Sequence, residues 1–595
     1  MDKIGVLDFG GQYTHLIARR IRQAGVFSEV LSPLHPPEDW AAFKGFIFSG
    51  GPSSVYADSA PDVNPAYLEM KLPILGLCYG HQLLSQKLGG KVKSGLVHEF
   101  GPAEFSPRGA HPLFQGLSAK SQVWMSHGDE VVALPPGFRI LGSTSDCAAA
   151  AIGDDASHRY GLQFHPEVTH STEGHLILQN FLRLCGCDFS WKMEDHIETL
   201  CQRLRRQCAG RKAFLLVSGG VDSTVAFALL NRALGPENVL GLHIDNGLMR
   251  QGESAAVMEY MHSHGFNNLI IRDATDVFLK ALEGAVEPEK KRKAIGDTFL
   301  TVKDAALAEL NLDPEHWILA QGTIYPDTIE SGGTQNAAVI KTHHNRVDAI
   351  VELMKRGLVV EPLAECYKDE VRELGRLLDI PDRLIDRHPF PGPGLGVRLL
   401  CRAESEAPLS AATLAKLEQA LNSQNLQGEI LPVLSVGVQG DARTYAHPCL
   451  IRSLRDWQKA DGAATALLNR VREVNRVVLE IGALEPGTYV SITATCTRER
   501  LDILRAIDDL CTQALMASGE YAKVWQMPVV LLPLEKAGRP VIVIRPVDST
   551  EAMTATFARL PWDLLDLLWR DMQAEGVGAL LYDITHKPPG TIEWE

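Results

Sequence analysis

Short apolar runs alternate with amphipathic stretches along the first two thirds of the chain. Residues 4–8, 46–49 and 74–77 are apolar and short, which predicts buried strands. Residues 14–24 and 81–88 predict helices, the second stopped by Gly89-Gly90. The alternation resumes with strands at 214–217, 239–245 and 317–320 and helices at 193–208 and 225–234. Alternating strands and helices predict mostly parallel sheets with helices on their faces. The last third reads differently. Residues 435–438, before Asp441, look like residues 541–544, before Asp548. Residues 475–478 fall where 582–585 fall in the later part. Each part reads strand, helix, strand, which predicts a repeated α+β unit.

A chain of 595 residues suggests about three or four domains. The expectation is an α/β domain over 1–189, a second α/β domain over 190–402, and an α+β region over 403–595. Hydrophobic residues make up 45% and charged residues 22%, a globular composition. The net charge of −15 argues against a nucleic-acid partner, which needs a dense basic face. No stretch approaches the ~20 apolar residues of a membrane span, so no membrane partner is expected. The eleven cysteines form no CxxC pair, which points away from a zinc ribbon or a disulfide framework. The first residues enter a strand with no apolar leader, so the expected compartment is the cytosol.

Two constellations carry chemistry. The first is Gly76-Leu77-Cys78-Tyr79-Gly80-His81-Gln82. A cysteine between a strand end and a helix start has the setting of a nucleophile elbow. The helix N-terminus favours its thiolate. Gly161-Leu162-Gln163-Phe164-His165-Pro166-Glu167 supplies a base, His165, and an orienting carboxylate, Glu167. The turn Ser49-Gly50-Gly51-Pro52 follows another strand. Backbone N–H groups of Gly51 and Tyr79 are candidates for an oxyanion hole. Taken singly, each piece has a plain alternative: a buried small cysteine, an ordinary loop. Together, in this order, they resemble the class I glutamine amidotransferase domain. That resemblance implies that Cys78 attacks the glutamine side-chain amide and releases ammonia. Residues 124–129 match a loop near the glutamine pocket in that family, the alternative being an ordinary polar turn.

The second constellation is Ser218-Gly219-Gly220-Val221-Asp222-Ser223-Thr224, with a strand before it and a helix after it. Glycine N–H groups and a helix N-terminus form a phosphate cradle. The spacing is shorter than a GxxxxGK[ST] loop and there is no lysine. The stretch resembles the loop of ATP pyrophosphatases, which cut ATP between its α and β phosphates. Residues 218–223 are the ATP-binding candidates. Asp222 and Asp245 are candidates for phosphate-bound magnesium or for the nucleotide itself. The charge run 289–293 reads first as a solvated helix face. The paired His343-His344 point apart on one segment, against a shared metal. The proline- and glycine-rich stretch 388–398 reads as a stiff loop.

The order of these motifs, with Ile340-Lys341-Thr342-His343-His344-Asn345, His388-Pro389-Phe390-Pro391-Gly392-Pro393-Gly394 and the closing Lys587-Pro588-Pro589-Gly590-Thr591-Ile592-Glu593-Trp594-Glu595, resembles the glutamine-hydrolysing GMP synthetase family. The resemblance implies the substrates XMP, ATP with magnesium, and glutamine, and no prosthetic group. It implies XMP contacts by Arg292, Arg443, Gln526, Lys587 and Glu593, and a lid over ATP that carries Lys341. It makes 403–595 a dimerisation and XMP-binding region, here in two parts. A homodimer is therefore expected, with a monomer left open because a second part could cover the dimer surface. Two rivals stand beside this reading. One is another glutamine-fed ligase with the same loop, such as an NAD or asparagine synthetase. The other is a nucleotide-responsive binding protein on a degenerate ligase, whose expected mark is loss of Cys78, His165 or the 218–223 loop.

Overall fold

The computed structural model describes the chain except residues 1, 12, 58, 311, 314, 326–355, 404–410, 440–441, 472 and 550–554, and except the side chains of 96–98, 383, 411–412, 439 and 442–443. The chain divides into two compact units. One comprises Met1–Arg203, Gly322–Gly357 and Glu361–Leu377; the other comprises Leu204–Gln321, Leu358–Val360 and Leu378–Glu595. Among the described residues no helix is long and apolar enough to cross a membrane.

The first unit is built on a nine-stranded sheet. Strands Phe27–Leu31, Lys3–Leu7, Phe43–Phe48, Ile74–Leu77 and Arg159–Leu162 lie side by side in that order, all parallel. Ile74–Leu77 is buried along its whole length, as a strand covered on both faces must be. The sheet continues antiparallel through Ala151–Asp154, Arg139–Ser143, Lys91–Pro107 and Ser121–Ala133. The helix Thr14–Gln23 turns Ile17, Ala18 and Ile21 inward, a stripe of helical spacing. Its Arg22 is also buried. The guanidinium pairs with Glu370 at 2.9 Å and lies 4.6 Å from the Phe27 ring, tying the distant segment Glu361–Leu377 into this unit.

In the second unit, a five-stranded parallel sheet runs in the order Leu269–Asp273, Val239–Asp245, Lys212–Leu216, Trp317–Ala320, Val359–Val360. The chain leaves Lys212–Leu216 toward one neighbour and returns later to the other. The carboxyl end of that strand is therefore the switch point where open parallel sheets bind ligands.

A mixed eight-stranded sheet holds the last third, with the core path Gln427–Ile430, Ala442–Arg452, Val474–Ala483, Ala579–Asp583, Arg539–Ile544, Val529–Lys536. Each half is one helix, two antiparallel strands, a second helix and a strand parallel to its neighbour: Ala411–Asn422 to Ala483 in the first, Arg498–Ala517 to Asp583 in the second. The repeat is thus longer than the expected strand, helix, strand. One match is corrected: Arg539–Ile544 corresponds in the sheet to Ala442–Arg452, whereas Ser435–Gln439 only pairs alongside it. The short run 435–438 resembles 541–544 more closely than does Ala442–Arg452, which carries Arg443, Thr444 and His447, so the pattern pointed to the wrong strand. The match of 475–478 with 582–585 holds, and the two stretches meet antiparallel at the centre of the sheet. Ile584 N donates to Val477 O at 3.0 Å, and Val478 faces Asp583. The two halves are related by a pseudo-two-fold axis through Val477 and Ile584. Across it Arg476 pairs with Asp583 at 2.9 Å, and Trp457 stacks on Trp562 at 4.3 Å.

Candidate functional site

Cys78 stands between the strand Ile74–Leu77 and the helix Tyr79–Lys87, at φ 51° and ψ −105°. This left-handed backbone is strained for a side-chain-bearing residue and aims the thiol out of the turn. Two glycines permit the turn. A Cβ on Gly80 would lie 2.3 Å from Phe48 O, and one on Gly76 would lie 2.5 Å from Gly80 O.

His165 is beside the thiol. A Cβ on Gly50 would sit 3.1 Å from His165 Cε1 and 3.9 Å from Cys78 Cβ, so the Gly50 turn abuts both. His165 Nδ1 donates to Glu167 Oε1 at 2.7 Å. The other Glu167 oxygen is buried with no partner among the described residues. Burial opposes charge on the His165 ring, but the Glu167 carboxylate and hydrogen bonding with Cys78 outweigh it and hold the pKa well above its usual value. The three residues therefore form the arrangement expected of a nucleophile, its base and an orienting acid. A Cβ on Gly51 would lie 3.1 Å from the Tyr79 ring, so the two expected oxyanion donors are neighbours.

Residues 124–129 do not form the expected loop or turn. They lie within the strand Ser121–Ala133, held by pairing along Lys91–Pro107. Ser126 O accepts from Cys78 Sγ at 3.4 Å. Two glutamines extend the site. Gln163 Nε2 donates to Cys78 Sγ at 3.8 Å, and Gln82 Nε2 donates to Asp129 O at 2.9 Å. Gln82 is four residues beyond Cys78, one helical turn, a spacing that was available in the sequence.

In the second unit the loop after Lys212–Leu216 turns through Gly219 at φ 81°. The helix then begins at Val221, four residues earlier than expected, so Asp222 lies in its first turn. Ser218 Oγ and Ser223 Oγ are 3.0 Å apart, and Gly220 N donates to Ser218 Oγ at 3.2 Å. This fastens a bare turn at a helix N-terminus, an anion cradle at the switch point of the sheet. Behind it, buried His243 bridges Val217 O and Ser254 Oγ at 2.7 and 2.9 Å, a brace that sequence reading missed. Asp245 ends the neighbouring strand, where its Oδ1 accepts from Gly247 N at 2.9 Å.

The remaining expected site residues gather partly around the closing motif. Arg398 forks onto Glu593 at 3.1 and 3.0 Å, and Gln526 Nε2 donates to the same carboxylate at 3.2 Å. Arg292 Nη2 donates to Glu595 O. Lys587 N donates to Ala555 O at 2.8 Å. Arg443 is on the strand Ala442–Arg452, its side chain outside the description, and Lys341 lies outside the described residues. The stiff loop is pinned by His388, stacked on Tyr521 at 3.9 Å and donating from Nε2 to Tyr521 O at 2.9 Å. The charge run is not a uniformly solvated face. Lys291 is fully buried; its Nζ donates to Gly396 O and Leu399 O at 2.9 and 2.8 Å and pairs with Glu595. Its helix buries Lys291, Ile295, Val302 and Ala306, so the helical period that places Ile295 inside places Lys291 there too. Arg476 supports the motif from behind, donating to Thr591 Oγ1 at 2.7 Å and Glu593 O at 2.8 Å.

Three family profiles match the chain: Glutamine amidotransferase class-I over residues 5–185, NAD synthase over 192–295, and GMP synthase C terminal domain over 513–594. Whole-length relatives are similar too. A Leptospira interrogans protein bearing a GMP synthase name is 42% identical, over 100% of this chain and 99% of that protein. The glutamine-hydrolyzing GMP synthase of Symbiobacterium thermophilum is 38% identical over 100% of this chain and 99% of its own. That of Geobacillus kaustophilus is 43% identical, but its 99% covers only 82% of this chain. With every segment accounted for along relatives of matching length, the chain belongs to the glutamine-hydrolyzing GMP synthase family.

Proposed function

We propose that this protein aminates XMP to GMP at the expense of ATP, with ammonia drawn from glutamine. The observation that carries the proposal is the pairing, in one chain of this family, of the Cys78–His165–Glu167 arrangement with the Ser218–Ser223 cradle. Cys78 Sγ adds to the glutamine amide carbon while His165 takes and returns the proton. Ammonia leaves, a thioester to Cys78 remains, and water releases glutamate. N–H groups of Gly51 and Tyr79 receive the oxyanion. At the second site the C2 oxygen of XMP attacks the α-phosphorus of ATP, and pyrophosphate departs into the loop of residues 218–223. Ammonia then displaces AMP from C2. ATP enters as its magnesium complex, with Asp222 the candidate carboxylate at the phosphate end of the cradle. Lys341 covers the ATP, and Arg292, Arg443, Gln526, Lys587 and Glu593 hold XMP. The fork from Arg398 supports this role for Glu593, since it fixes the carboxylate's direction.

The segments 1–189, 190–402 and 403–595 are the proposed amidotransferase, ATP pyrophosphatase and XMP-binding regions. The protein works in the cytosol; eleven cysteines with no CxxC pair among them are consistent with a reducing compartment. A homodimer is expected, with a monomer left open because the two halves of the terminal sheet already pair with each other; light scattering that returned the mass of a single chain would decide for the monomer. The test of the activity is release of pyrophosphate and GMP with ATP, magnesium, glutamine and XMP, against a control without XMP. Both products are expected only with XMP. Activity with another acceptor and none with XMP would defeat the reading.

A further inference from the structure

Within the first unit, Glu99, His127 and Cys147 converge from three separate segments. One carboxylate oxygen of Glu99, one ring nitrogen of His127 and Cys147 Sγ all lie within 4.8 Å of one another. The side chains of His127 and Glu99 are only 4% and 9% exposed, and Cys147 is 2% exposed. None of the three belongs to the reacting set of Cys78, His165 and Glu167. We propose that they form a binding site for a divalent metal of the zinc class.

The donor chemistry sets the class. A thiolate with an imidazole suits zinc, whereas magnesium and calcium take oxygen alone. The thiolate and the carboxylate together balance two positive charges in a buried place. The geometry is prepared in two independent ways. The first is the strand. Pairing between Lys91–Pro107 and Ser121–Ala133 breaks after Ser94 and resumes at Glu99, which then lies directly opposite His127. A bulge of this kind re-aims a side chain. The second is the ring of supporting hydrogen bonds. His127 Nδ1 is 3.0 Å from Asp129 O, which fixes the proton there and turns Nε2 toward Glu99 Oε2, also at 3.0 Å. Such a carbonyl partner is the usual orienter of a metal-binding histidine. Thr144 Oγ1 accepts from Cys147 N at 3.0 Å and donates to Glu99 Oε1 at 3.3 Å, so one hydroxyl positions two ligands.

Three protein ligands leave one position for water. The metal stands apart from the reacting set and would act by holding segments together. It would rivet the Glu99 bulge, the Cys147 loop and the strand whose Ser126 carbonyl meets Cys78 Sγ. In its absence His127 Nε2 and Glu99 Oε2 simply hold each other at 3.0 Å, which is the competing reading.

The test uses the full chain without a histidine tag, loaded with zinc sulfate and desalted into metal-free buffer. Elemental analysis should find about one zinc per chain. Loading with cobalt(II) should give the absorption of a thiolate-to-cobalt bond. Cys147→Ser should lose both the zinc and the absorption, while unchanged circular dichroism and ammonia-driven synthesis show that it is folded. Thr144→Ala should weaken zinc binding about 10–100-fold. If the wild-type chain retains no zinc and gives no cobalt absorption, the cluster is only a hydrogen-bonded group and the proposal fails. If Cys147→Ser keeps either signal, the metal sits elsewhere and the proposal fails.

Discussion

Replacing Glu167 by Gln removes one charge and keeps the shape of the base's partner. The carboxylate is 2.7 Å from His165 Nδ1, both groups are buried, and its second oxygen serves nothing else among the described residues. Charges centred about 4 Å apart attract by about 4 kcal/mol at an effective dielectric constant of ~20. The glutamine amide oxygen still accepts the Nδ1 proton, which retains about 1 kcal/mol. Roughly 3 kcal/mol of support for the imidazolium is lost, or about a hundredfold in glutamine hydrolysis. Synthesis driven by added ammonium salt should be unchanged. The pH profile should move too. In the wild type Glu167 and Cys78 hold the His165 pKa well above its usual value against burial. Without the carboxylate, burial acts with less opposition and the pKa falls. The imidazolium that protonates departing ammonia is then lost at lower pH, so the alkaline limb of glutamine-dependent kcat/KM shifts toward acid. The assay is glutamate release across pH, run beside ammonia-driven GMP formation. A rate within about threefold of wild type with an unmoved alkaline limb would refute the reasoning, as would equal loss of both activities.

Asp222→Asn should depress pyrophosphate release whether glutamine or ammonium is supplied, by about a hundredfold if the carboxylate meets the metal–phosphate charge; wild-type release with both would exclude that role. Asp583→Asn should destabilise the terminal sheet by about 3–5 kcal/mol, because Arg476 and Arg545 are left buried without their shared anion. Hydrogen exchange along Val474–Ala483 should rise about a hundredfold or more while Leu269–Asp273 stays protected, and unchanged exchange would count against it. Burial lowers the pKa of His15 and His196 to about 4 and of His81 to about 3, against an unfolded 6.5. Since these folded values are depressed, the stability of the first unit is full above pH 6.5 and falls as pH drops toward 4, by about 1.4 kcal/mol per histidine per pH unit. Melting of this unit, followed by exchange in residues 1–203, should come at clearly lower temperature at pH 5 than at pH 7.5; equal melting would contradict the burial argument.

Both chemical constellations were legible because each is local. Cys78 and Ser218–Ser223 sit on strand–turn–helix junctions whose apolar strand, glycines and helix start are consecutive in sequence. His165 and Glu167 are two residues apart, so their partnership could be read; their approach to Cys78 came from family order. What sequence did not carry was pairing across long separations. Arg398 meets Glu593 from 195 residues away, and Lys291 reaches Gly396 across 105. A charge in a polar motif gives no sign of which distant carboxylate will neutralise it. The reading of residues 124–129 as a loop, with a polar turn as its alternative, failed for a related reason. Their polar composition fits a turn, but pairing with Lys91–Pro107 holds them extended.

The axis through Val477 and Ile584 has a meaning beyond resemblance between two halves. In a dimer of identical chains, a two-fold axis brings each residue beside it close to its own duplicate. Arginine at the 476 position would then face arginine, and aspartate would face aspartate, in a site with no water to separate them. Here the corresponding positions hold opposite charges and bond across the axis. Such a pair is open only to a chain that carries both halves and lets each mutate without the other. The buried charge at the seam thus makes each half a poor mate for itself and a good one for its neighbour.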